Sequence, residues 1–110
     1  MPKTEETLYI QDILTAIDKI EKYTNDLTFN DFDEDEKTVD AVVRNLEVIG
    51  EAARNIPQEI SHLHSEIPWE RMVRMRNKVI HEYFGVDTEI LWETIFEDLP
   101  DLKKQIKKLL

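Results

Sequence analysis

Glu70-Arg-Met-Val-Arg-Met-Arg-Asn-Lys-Val-Ile-His-Glu-Tyr-Phe-Gly-Val-Asp87 is the stretch from which the rest of the chain is read. Met72, Met75, Val79 and Ile80 recur at helical spacing, so one face of this segment is apolar. Pro68 suits the first turn of such a helix, with Trp69 as its anchor. Phe84 and Gly85 end it, glycine being the usual residue where a chain turns out of a helix. The other face is basic. Arg71, Arg74, Arg76 and Lys78 are four of the chain's fourteen Lys and Arg residues, and no acid interrupts them between Glu70 and Glu82.

The flanking segments repeat the helical pattern. Upstream, Val39, Val42, Val43, Leu46, Ile49 and Ala53 form a broad apolar stripe over a helix from Asp35 to Arg54, closed by Asn55-Ile-Pro57. Gly50 lies inside that stripe, where it costs helix stability relative to alanine. With Ala52 and Ala53 it would let another backbone come close, within the subunit or across a dimer. Asn45 flanks the stripe as a polar group that is only partly solvated. The first helix runs from Glu5 to Asn25 on Ile10, Ile13, Leu14, Ile17 and Ile20, and Leu27 continues the stripe. Thr28 to Asp35 reads as a loop whose Phe29 and Phe32 tuck onto the core. Its carboxylates, Asp31, Asp33, Glu34, Asp35 and Glu36, lack the glycine and closing glutamate of a calcium loop, so helix capping is the preferred reading.

Downstream, Gln58 to Ser65 is a short helix or turn, and His62 and His64 have no partners at zinc-ligand spacing. Asp87 or Thr88 caps a fourth helix, Glu89 to Glu97, with Ile90, Leu91, Ile95 and Trp92 facing inward. Asp98-Leu-Pro100-Asp breaks the chain again. Leu102 to Leu110 then carries Lys103, Lys104, Lys107 and Lys108, read as a solvated face of a last helix.

The 110 residues predict one all-α domain, a helical bundle with up-down core helices and short C-terminal helices. Only two glycines and four prolines interrupt it, and no cysteine supplies a disulfide or a thiolate metal site. Absence of cysteine, of a leader-like N-terminus and of a long apolar run points to a cytoplasmic protein away from membranes. A net charge of −10 argues against broad, non-specific binding to nucleic acid. It leaves room for a small basic cleft.

If the helix continues to Tyr83, Arg74 and Lys78 share a face, as do Asn77 and His81, and Arg76 and Tyr83. Arg76 and His81, five apart, would point about 140° away from each other. Either the helix ends near His81, or a second copy of the chain completes the site. The residue types suit RNA cleavage without a metal. Histidine moves protons near neutrality, and arginine grips phosphate oxygens with a planar fork. A polar helix face with an edge histidine is the competing reading, and spacing alone favours it.

Arg76-Asn-Lys-Val-Ile-His81-Glu-Tyr83 has the form R-x4-H-x-Y, and it resembles the signature of the HepT-like toxins of the HEPN ribonuclease superfamily. Asp40-Ala-Val-Val-Arg-Asn-Leu-Glu-Val-Ile-Gly-Glu-Ala-Ala53, Ile67 to Asp87, and Trp92 followed by Asp98-Leu-Pro100 also resemble that family, in order and at natural spacing. The resemblance implies a HEPN-type bundle, a symmetric homodimer, and an endoribonuclease site built from Arg76 and His81 of both subunits. Asn77 matches the polar residue that often follows the arginine, and Lys78 and Arg74 would support the substrate. It also implies a type VII-like toxin–antitoxin pair, in which a small MNT-type nucleotidyltransferase antitoxin transfers AMP to Tyr83 and silences the toxin. No cofactor or metal is implied. The alternative is a non-catalytic helical subunit that binds nucleotide or presents substrate to a nucleotidyltransferase, and a blander one is an acidic helical adaptor.

Overall fold

The computed structural model describes residues 5–81 and 85–110, with Arg76, Ile80 and His81 described by their backbone. It is an all-α bundle of helices α1 (Glu5–Thr24), α2 (Phe29–Glu34), α3 (Glu36–Asn55), α4 (Gln58–Leu63), α5 (Trp69–Val79), α6 (Thr88–Glu93) and α7 (Leu99–Lys107). A π-helical turn, Thr94–Asp98, joins α6 to α7. Two residue pairs, β1 (Ile80–His81) and β2 (Gly85–Val86), form a short antiparallel ladder.

The predicted stripes make the core. Ile10, Ile13, Ile17 and Ile20 of α1 and Val39, Val42, Leu46, Ile49 and Ala53 of α3 are buried, and α1 packs along α3. Burial of each of these isoleucine, leucine and valine side chains contributes about 1.5–3 kcal/mol relative to exposure. Buried polar groups are satisfied locally. The Asn45 amide donates to Ala41 O at 2.8 Å, Thr24 Oγ1 to Ile20 O at 2.8 Å and Thr94 Oγ1 to Ile90 O at 2.9 Å.

Residues 28–35 are not a loop. The Thr28 hydroxyl accepts from Asp31 N–H and the Asp31 carboxylate accepts from Thr28 N–H, a reciprocal cap that closes α2. A six-residue helix holds too few apolar residues to show a period, which is why the sequence pattern conceals it. Its carboxylates do cap helices. Asp35 accepts from Thr38 N–H and Thr38 Oγ1 at the start of α3, and these bonds hold its carboxyl below the ordinary aspartate range. Phe32 is fully buried, and Phe29, Phe32 and Phe96 surround the half-buried Trp92 ring.

The α5 helix lies against α3 at Gly50. A Cβ placed there would sit 3.4 Å from Met72 O and 3.7 Å from Val73 O, so the glycine permits close packing of two helices within the subunit. Trp69 anchors the start of α5, buried, with its indole N–H donating to His64 O at 3.1 Å. The other end departs from expectation. The helix stops at Val79, not at Phe84, and Ile80 and His81 pair with Val86 and Gly85. Asp87 N–H donates to Val79 O at 2.7 Å, so that carbonyl is engaged by the returning strand. Gly85, at φ +80°, supplies the left-handed conformation that such a return favours.

The C-terminal part also differs. Asp87 caps α6 by accepting from Ile90 N–H. The chain does not break at Asp98-Leu-Pro100 but runs from α6 through the π turn into α7, with Leu99 N–H donating to Thr94 O five residues back. Pro100 lies in the first turn of α7, and a wider turn before it relieves the clash its ring would make in a regular helix. Lys104, Lys107 and Lys108 are exposed, but Lys103 is not part of a solvated face. Its ammonium lies 3.0 Å from both Asp18 and Glu21 of α1, and hydrogen bonds to these two carboxylates raise its pKa. Among the described residues no helix is long and apolar enough to cross a membrane.

Candidate functional site

The amphipathic pattern of α5 sets what it shows. Met72, Met75 and Val79 face the core, which leaves Arg71, Arg74, Asn77 and Lys78 exposed. Arg71 reaches the π turn, where its guanidinium donates to Asp98 Oδ1 at 2.7 Å. Arg74 lies 4.0 Å from Glu70 one turn back, a loose and solvated contact. Arg71, Arg74, Met75, Lys78 and Asp98 line one recess of about 170 Å³.

The structure thus brings Arg74 and Lys78 together as the spacing predicts, and adds Arg71 and Asp98 to them. It does not bring Asn77 into that recess. Asn77 faces the groove between α3 and α5, with Gly50, Val73 and Arg54. Asp98 is the residue that sequence reasoning missed. Read as part of a chain break and of the family resemblance but not as a partner of the basic face, it stands 27 positions from Arg71, and no local pattern links residues so far apart.

Arg76 sits in the last turn of α5, and the His81 backbone is paired with Gly85 just beyond it. The side chains of Arg76 and His81, and Tyr83 altogether, lie outside the described residues. Because α5 ends at Val79, helical angles cannot be carried from Arg76 to His81 or Tyr83. The 140° mismatch that argued for a second copy no longer follows, and neither does the shared face of Arg76 and Tyr83.

His62 is exposed, and His64 Nδ1 lies 3.6 Å from Glu66. Among the described residues no group of three or more histidines and carboxylates is arranged to hold a metal ion.

Comparison with known proteins places this geometry in context. The profile of the family described as "Ribonuclease HepT-like" matches residues 13–109. The chain is 54% identical over 101 residues to "Probable ribonuclease HepT" of Thermococcus cleftensis, covering 92% of each. It is 41% identical to a provisionally named RNase of Methanocaldococcus jannaschii, covering all of this chain and 91% of that one. A provisionally named RNase of Caldanaerobacter subterraneus is 43% identical, over 93% of this chain and 91% of its own. No solved structure matches significantly.

Proposed function

The chain belongs to the HepT-like ribonuclease family, and on that footing we propose that it is an RNA endonuclease that works without a metal through Arg76 and His81. The observation that carries this reading is the intact R-x4-H-x-Y motif, Arg76, His81 and Tyr83, in a chain similar along its length to RNase-named relatives. The exposed cations Arg74 and Lys78 on the same helix support it, since they offer charge to a phosphodiester on an otherwise acidic protein.

In the proposed reaction the 2'-hydroxyl oxygen attacks the adjacent phosphorus and the bond from phosphorus to the 5'-oxygen breaks. A neutral imidazole takes the 2' proton, and a protonated imidazole supplies one to the leaving 5'-oxygen. The products are a 2',3'-cyclic phosphate and a 5'-hydroxyl. Arg76 holds the non-bridging oxygens as charge gathers there. Two copies of His81 in a symmetric homodimer would provide both base and acid, as the family resemblance implies. Asn77 would assist from the α3 side.

Control belongs to the same proposal. A partner nucleotidyltransferase of the MNT type transfers AMP from a nucleoside triphosphate to the Tyr83 phenol, releasing pyrophosphate. The bulky anion then occupies the charge and space that RNA needs. As one half of a toxin–antitoxin pair acting on RNA, the protein would work in the cytoplasm.

The test is RNA cleavage by the purified chain in EDTA, with end-group analysis, beside His81→Ala. Loss of about 10²- to 10⁴-fold is expected for removal of an acid–base group. Undiminished cleavage by His81→Ala, in protein free of contaminating nuclease, refutes the assignment.

A further inference from the structure

The molecule's negative charge is concentrated on two segments. Residues 26–36 hold six carboxylates and residues 87–98 hold five, with no Lys, Arg or His in either. The rest of the chain has thirteen acids against fourteen Lys and Arg, so the net charge of −10 resides in these segments. They also carry the aromatic cluster. Phe29 and Phe32 come from α2, Trp92 from α6 and Phe96 from the π turn. The two helices are tied by Thr88 Oγ1, which donates to Asp33 Oδ1 at 2.6 Å.

The rings form a platform. Fully buried Phe32 backs it, its ring centroid 5.1 Å from that of Trp92. Phe96 lies 4.5 Å from Trp92 yet is 52% exposed, and Phe29 and Trp92 are half-buried. Exposed carboxylates run beside the rings. Glu89 and Glu93 stand one turn apart on α6 and flank Trp92 in sequence, Glu97 follows Phe96, and Asp33 lies one turn after Phe29. Like charges one turn apart destabilise a helix, and a cation laid beside them reverses that effect. A guanidinium suits the place, since its plane stacks on an aromatic face while its N–H groups reach carboxylates. A phosphate chain does not, because the same carboxylates repel it. Rings already fixed by packing lose little freedom on binding.

We infer that the face made by Phe29, Trp92 and Phe96 is a docking surface for a basic protein segment. An apolar side chain of that segment packs on Phe96, and an arginine lies between the rings and Glu89 and Glu93. The inference uses none of the motif residues and stands whether or not the chain cleaves RNA.

The experiment selects a random-peptide display library on the full wild-type chain, with removal of peptides that also bind Phe96→Ser. Peptides joining arginine to an apolar residue should be enriched. Acidic or uncharged peptides, or none that depend on Phe96, would overturn the proposal. A selected peptide, made synthetically, should bind Phe96→Ser about 30-fold more weakly, the loss that marks a central aromatic anchor. Glu89→Gln with Glu93→Gln should weaken it roughly threefold at low salt and less at high salt. Equal binding to the wild type and to both variants refutes the surface. All three substituted residues are exposed or half-buried at most, and matching melting curves will show that the fold persists. Light scattering should give one mass for the wild type and Phe96→Ser. A smaller mass for the variant would mean that a second copy covers the rings, which overturns the choice of partner. Binding of an RNA oligonucleotide that is lost in Phe96→Ser would assign the rings to base stacking and overturn it as well.

Discussion

Replacing Gly50 with alanine should stabilise the protein, and replacing it with valine should do the reverse. Gly50 lies well inside α3, where glycine costs about 0.5–1 kcal/mol relative to alanine through the backbone freedom it loses on folding. The opposing term is contact with α5. An alanine Cβ would meet Met72 O at 3.4 Å, Val73 O at 3.7 Å and Val73 Cα at 3.8 Å, which are ordinary van der Waals separations. Propensity therefore wins. With an unfolding entropy of about 2.1 cal/mol/K per residue, the gain is a rise in Tm of roughly 2–4 °C. Valine adds two methyl groups on a side chain stiff at χ1, against neighbours that are backbone and cannot rotate away. Overpacking of this kind costs about 1–3 kcal/mol. Thermal and urea unfolding of the three proteins at one fixed concentration would measure both effects. Should Gly50→Ala melt at or below the wild type, the α3–α5 approach is tighter than described and the reasoning fails.

Three further outcomes are expected. Lys103→Met should cost about 1 kcal/mol at neutral pH, since it leaves Asp18 and Glu21 unpaired where α7 meets α1. The Lys103 pKa is raised on folding, so its contribution is complete below the unfolded-state value and fades as pH climbs through the folded one; only the wild type should show this alkaline loss in urea titrations. Asp35→Ala should destabilise α3 at neutral pH by removing its cap, and Asp35→Asn should restore part of it. Because the Asp35 carboxyl is depressed in the folded state, its contribution is present above the unfolded-state pKa and disappears as pH falls through the folded one, so wild type and Asp35→Ala should converge in acid. Co-expression with a partner nucleotidyltransferase should add AMP mass to the peptide containing Tyr83 and none to Tyr83→Phe. Added mass on Tyr9 or Tyr23 would contradict the proposed control.

The apolar stripes of α1, α3 and α5 were legible because helix burial repeats along the chain and needs no knowledge of the partner. The family was legible too, since R-x4-H-x-Y and its flanking segments stand in order in the sequence. Local chemistry also announced capping by the acids around Asp35, a cap at Asp87 or Thr88, and a close backbone approach at Gly50; the structure selects Asp35, Asp87 and a contact within the subunit. The end of α5 was legible only as one of two alternatives: the angle between Arg76 and His81 allowed a helix ending near His81, while Phe84 and Gly85 marked a later end. Ile80 continues the helical period, yet Val79 O is engaged by Asp87 and the next residues pair with Gly85 and Val86, a choice made by segments that meet only after folding. The same holds for Lys103, one of four similar tail lysines until α1 sets Asp18 and Glu21 beside it. Arg71 and Asp98 complete the contrast: the cation was visible as part of a basic face, but its carboxylate partner lies 27 residues away. Periodicity and capping act over one or two turns and can be read along the chain, whereas the ion pairs and strand pairing that shape the basic face arise between elements and depend on the packed fold.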